Sequence, residues 1–94
     1  MHPLLEIHRT QLRSLAARHG LSSVRVFGSM ARGDANSTSD VDLLVESKEP
    51  VSGFSLGAML MDAQDLLGRK VDIVTIQSLH PSMRDRVMRE SVLL

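Results

Sequence analysis

The stretch from Gly28-Ser29 to Asp40-Val41-Asp42 limits most strongly how this chain can fold. An apolar run, Val24-Arg25-Val26-Phe27, ends in that Gly-Ser, and a second, Leu43-Leu44-Val45, follows the two aspartates. Ten residues separate Ser29 from Asp40, room for a turn, a short helix and a loop. The pattern predicts two neighbouring strands, at about 24–28 and 41–46, with a helix starting where the first ends and carboxylates where the second begins. Side chains alternate faces along a strand, so Asp40 and Asp42 share one, roughly 6–7 Å apart. Carboxylates this close repel unless a positive charge lies between them. A hard divalent ion such as Mg²⁺ meets that need, because it takes oxygen ligands and keeps positions open for phosphate oxygens. Gly28 permits backbone conformations closed to other residues, and the free N–H groups of the next turn favour an anion. One half suits a metal and the other a phosphate. Together they describe a metal–nucleotide site.

Gly-Ser, ten residues and then Asp-x-Asp resembles the signature of the DNA polymerase β-like nucleotidyltransferase superfamily. The fuller string GSMARGDANSTSDVDLLV is similar to that of its minimal members, the MNT-domain proteins commonly paired with HEPN-domain toxins, and the likeness covers nearly the whole chain. It implies an α+β fold, a small mixed sheet of three or four strands with helices packed on one side. It also implies transfer of AMP from ATP, with release of pyrophosphate, to a tyrosine hydroxyl of a HEPN toxin, which silences the toxin in a hetero-oligomer. Asp40 and Asp42 would hold Mg²⁺ against the phosphates, two ions being expected, and Gly28 and Ser29 would position the β- and γ-phosphates. Asp72 sits in Val71-Asp72-Ile73-Val74-Thr75, where an ionised carboxylate is costly to bury unless paired or metal-bound. By itself it reads as an edge-strand aspartate facing water. The resemblance makes it the third carboxylate, completing a second metal site or deprotonating the acceptor. Arg32 either reaches a triphosphate oxygen or pairs with Asp34 or Asp42, and both readings stand.

Elsewhere, Leu5, His8, Leu12, Leu15, Ala16 and His19 fall on one stripe closed by Gly20, which predicts an amphipathic helix over about 3–19. His8 and His19 are three turns apart, so they read as edge-of-core residues, not metal ligands. After the turn-rich segment 47–53, Leu56, Met59, Leu60, Ala63, Leu66 and Leu67 form a second stripe ending before Gly68, with Asp62 and Asp65 off it as solvated side chains. A third strand covers 71–75. Pro81 opens a last short helix bearing Met83, Val87 and Met88, and Leu93 and Leu94 read as exposed apolar bulk. The methionines, among them Met59, Met61, Met83 and Met88, suit an adaptable partner surface as well as a core.

Composition narrows the field. Residues 1–94 read as one minimal domain, large enough for a core but too small for a deep enclosed pocket. Lys+Arg and Asp+Glu are equal at 11 each, a balance that counts against polynucleotide binding. The absence of cysteine excludes disulfides and thiolate metal sites. No signal peptide or membrane-length apolar run is present, which predicts a cytoplasmic protein without membrane contact. The chain has no Tyr, so a tyrosine acceptor belongs to another protein. A small-molecule nucleotidyltransferase of the aminoglycoside type is a second enzyme reading, although such enzymes usually carry an acceptor domain for which there is no room here. A non-catalytic antitoxin that neutralises its partner by binding is a third. The intact Gly-Ser and three aspartates speak against a degenerate site.

Overall fold

A computed structural model describes residues 1–94. In chain order the elements are α1 (Pro3–Ile7), α2 (Arg9–Arg18), β1 (Ser23–Phe27), α3 (Ser29–Arg32), β2 (Val41–Glu46), α4 (Gly53–Leu67) and β3 (Val71–Thr75). A 3-10 turn (Ile76–Ser78), α5 (Pro81–Glu90) and β4 (Val92–Leu93) complete the chain. The four strands form one mixed sheet in the order β3-β2-β1-β4. β1 runs antiparallel to both β2 and β4, and β2 runs parallel to β3. A parallel pair needs a long crossover, which α4 supplies.

Alternation along the strands sorts the sheet into two faces. Val24, Val26, Val41, Leu43, Val45 and Val71 turn to one side and join Leu5, Leu12, Leu15, Met59, Ala63 and Leu67 in a buried core. The expected stripes of α2 and α4 therefore supply that side. Arg25, Phe27, Asp42, Leu44, Asp72 and Val74 turn to the other, as the register requires. Leu44 and Val87 of α5 are the two buried residues outside the main core. The Arg25 guanidinium donates to Ser91 Oγ at 3.3 Å, which fixes the end of α5 to this second face.

Local signals account for the boundaries. Ser52 caps α4 by accepting from the Ser55 N–H at 3.1 Å, and Gly68 ends it in the left-handed region at φ 65. Pro81 opens α5 as expected. Two expectations need correction. The helix over 3–19 is two helices meeting at His8, where the ring Nδ1–H donates to the Leu4 carbonyl at 2.9 Å. That carbonyl also receives the His8 backbone N–H, at a stretched 3.3 Å. The shared acceptor loosens the ladder at this point. Leu94 is not exposed: it is 8 % accessible within the core, because its N–H donates to the Val24 carbonyl and draws the chain end along β1. Leu93, one residue earlier, points out. Asp62 is exposed, as expected, and its carboxylate meets His19 Nε2 at 3.4 Å.

Candidate active site

The end of β1 and the starts of β2 and β3 meet at one end of the sheet, with Asp42 and Asp72 on the face opposite the main core. Gly28 leaves β1 with φ 71 and ψ −151, a region that essentially only glycine occupies. A Cβ there would lie 2.6 Å from Asp42 Oδ2. The glycine thus serves two needs, the turn into α3 and the space its missing side chain gives the carboxylate. Helix geometry leaves the first N–H groups of α3 without partners inside the helix, while those of Ala31 and Arg32 both go to the Gly28 carbonyl at 3.1 Å. Met30 is fully buried, so α3 is anchored from below although it is only one turn long.

Asp42 is the centre of the arrangement. The register places it beside Phe27 on β1 and beside Asp72 on β3. Its carboxyl is held above the ordinary value first by burial, then by the negative charges of Asp72 and Asp40, while Arg32 opposes the shift. Asp72 is exposed, and Asp40, 44 % accessible, lies 3.8 Å from Lys70 Nζ. The structure thus brings Gly28, Asp42 and Asp72 together, with Asp40 and Arg32 near enough to act on the Asp42 charge. Arg32 Nε donates to Asp34 Oδ2 at 3.2 Å, so of its two readings the pairing with Asp34 is the one present here.

The donor set is oxygen-only, and its negative charge is only partly offset by Lys70 and Arg32, which fits a hard divalent cation and not a soft one. No three acidic or histidine side chains stand together as a group that could hold a metal ion by themselves, so Asp40, Asp42 and Asp72 do not form a three-carboxylate metal site here. Mg²⁺ is commonly held by only one or two protein carboxylates, with the remaining positions left to waters and substrate phosphates. The surroundings are open. The largest surface concavity, about 620 Å³, lies among α2, β1 and β4 instead of over the aspartates.

Sequence reading missed Arg69, whose side chain reaches across to the loop that precedes Asp40. Its one local signal was position: a basic pair, Arg69-Lys70, directly ahead of the strand that carries Asp72.

Comparison with known proteins follows the same lines. The family model described as nucleotidyltransferase domain matches residues 6–94. The protein adenylyltransferase MntA of Thermococcus cleftensis is 37% identical over 89 residues, covering 95% of this chain and 87% of that protein. A Methanocaldococcus jannaschii protein provisionally named a protein adenylyltransferase is 39% identical over 75 residues, covering 80% of this chain and 81% of its own. A solved structure provisionally described as a minimal nucleotidyltransferase superposes with a TM-score of 0.89 at 42% identity, covering 100% of this chain and 97% of the other. The fold is shared more distantly with a Shewanella oneidensis complex of a tri-AMPylated HEPN toxin and an MNT antitoxin. There the TM-score is 0.72 at 16% identity, covering 94% of this chain and 69% of the other.

Proposed function

The chain belongs to the nucleotidyltransferase domain family, and on that premise we propose that it is a Mg²⁺-dependent protein adenylyltransferase. It transfers AMP from ATP to a tyrosine hydroxyl of a HEPN-domain toxin and acts in the cytoplasm as that toxin's antitoxin, with residues 1–94 serving as one minimal domain. The observation that carries this reading is the alignment of Asp42 with Asp72 across β2 and β3, with Gly28 closed against the Asp42 carboxylate. The relative named for protein adenylylation supports the choice of acceptor class, and a fold neighbour described as a toxin–antitoxin complex with AMP-PNP supports the choice of donor.

Asp40 and Asp42 would hold the ion, with Asp72 available for a second one or for the acceptor proton. When bound, Mg²⁺ supplies positive charge to the triphosphate and to the oxygens on which charge develops. Gly28 and Ser29 would orient the β- and γ-phosphates, fixing the leaving direction. The tyrosine oxygen forms a bond to the α-phosphorus as the α–β bridging bond breaks. The hydroxyl proton goes to Asp72 and then to water, and the electron pair leaves with pyrophosphate. The open site has no wall of its own for an acceptor, so the partner's surface completes it. Exposed Met61 and Met83 offer adaptable apolar contacts for such a partner.

Co-expression tests this. The wild-type chain should relieve growth arrest by the HEPN toxin, and Asp42→Asn should not, although it still co-purifies with the toxin. Relief by D42N at equal dose would replace the enzymatic reading with neutralisation by binding.

A further inference from the structure

We propose that Arg69 is a positioning residue for the metal-holding carboxylates, fastening the loop that carries Asp40 to the end of α4. This rests on the reading of Asp40 and Asp42 as cation ligands. The loop after α3 closes largely on itself. Asn36 Oδ1 accepts from the Thr38 N–H at 2.9 Å and Thr38 Oγ1 at 2.8 Å, and Ser39 Oγ accepts from the Asn36 N–H at 2.9 Å. Beyond these bonds, the packing of Ala35 against the core and the exposed ion pair of Asp40 with Lys70 at 3.8 Å, one side chain ties residues 35–40 to the rest of the molecule by hydrogen bonds. Arg69 Nη1 donates to the Asn36 carbonyl at 2.7 Å and to the Ser39 carbonyl at 3.3 Å.

The base of that side chain is itself fixed. Gly68 caps α4 immediately before it. The Val71 N–H donates to Gln64 Oε1 at 3.2 Å immediately after. Between them the Lys70 carbonyl accepts the Val41 N–H at 2.9 Å. Asp40 is therefore held on both sides by the Arg69-Lys70 segment: Ser39 before it through the guanidinium, Val41 after it through the main chain. Asp42 follows two residues into β2. Side chains that hold ligands in place, without touching the ion, commonly change metal affinity by about 10–100-fold when removed.

A competing role would be electrostatic, with Arg69 as counter-charge to the aspartates. Its polar contacts go to carbonyls and not to carboxylates, and the two roles predict opposite signs. Removing a counter-charge strengthens cation binding, because the cation no longer competes with it. Removing a fastener weakens cation binding, because the carboxylates lose their fixed separation.

The experiment titrates Mn²⁺ into wild type, Arg69→Ala and Arg69→Lys, with circular dichroism to confirm folding and amide hydrogen exchange over residues 36–42. The expected result is about 10–100-fold weaker Mn²⁺ binding in R69A, with faster exchange confined to that loop. R69K, which keeps donors for both carbonyls, should recover most of both. Equal or tighter Mn²⁺ binding by R69A, or unchanged exchange in the loop, overturns the assignment. Failure of the wild type to bind Mn²⁺ would instead sink the metal reading, and exchange would still decide whether Arg69 fastens the loop.

Discussion

Replacing Gly28 by Ala separates the backbone role of this residue from its role at the site. At φ 71 and ψ −151, alanine occupies a region that costs of order 1–3 kcal/mol. For a domain of this size, each kcal/mol lowers Tm by roughly 4–8 °C. A central figure of ~2 kcal/mol thus gives a Tm about 8–16 °C lower. The added Cβ would also lie 2.6 Å from Asp42 Oδ2, below any ordinary contact. The carboxylate, as the end of a side chain, turns away at little cost in energy. The function bears that movement, because a displacement of about 1 Å at a reacting centre can lower the rate about 100-fold. Gly33→Ala is the control. It too has a left-handed backbone, at φ 82, but nothing lies within 4 Å of its Cβ. It should lose about 1–2 kcal/mol and keep most of its nucleotide transfer. Urea denaturation and Mn²⁺ titration of both variants check this. G28A that binds Mn²⁺ like wild type, or G33A that loses binding equally, would refute the link between Gly28 and Asp42.

Further predictions concern charge and packing. Asp42→Asn removes a carboxylate whose pKa is raised in the fold, so the metal-free variant should be more stable than wild type at neutral pH. The sign follows from linkage: the folded chain binds the Asp42 proton more tightly than the unfolded chain does, so its stability falls as pH rises through the raised value. The advantage of D42N should therefore vanish below the unfolded carboxylate value of about 3.9 and grow toward neutrality, as urea denaturation across that range without divalent ions would measure. Added Mg²⁺ with an ATP analogue should raise the Tm of wild type and not that of D42N, reversing their order. Leu94→Ala should lose about 2–3 kcal/mol in chemical denaturation, since the side chain is 8 % accessible and joins the main core. Gly57→Ala, exposed within α4 with nothing near its Cβ, should gain about 0.5–1 kcal/mol by the same measurement.

What the chain discloses of itself depends on how local the cause is. The β1–α3–β2 unit could be read from sequence because apolar runs, Gly28 and the spacing to Asp40 are all properties of neighbouring residues. α4 was legible for the same reason, through its stripe and Gly68. The break at His8 was not, because it depends on a ring bonding a carbonyl that the helix also uses. Leu94 looked like loose bulk since its burial comes from pairing beside Val24, far away in sequence. Asp72 could be placed on a strand, but its register against Asp42 is a property of the crossover, and only the family likeness pointed to it. Arg69 lay beyond reach. Its partners, Asn36 and Ser39, are about thirty residues distant, and no periodicity links them.

The most direct test of the central claim uses the purified chain, Mg²⁺ and α-labelled ATP, with a HEPN-domain toxin as acceptor. Label should become covalently attached to the toxin, depend on Mg²⁺, and disappear with D42N and with a toxin lacking its acceptor tyrosine. Stable association of the two proteins without any transfer of label would contradict the account. The aligned aspartates would then not form a transferase site in this protein.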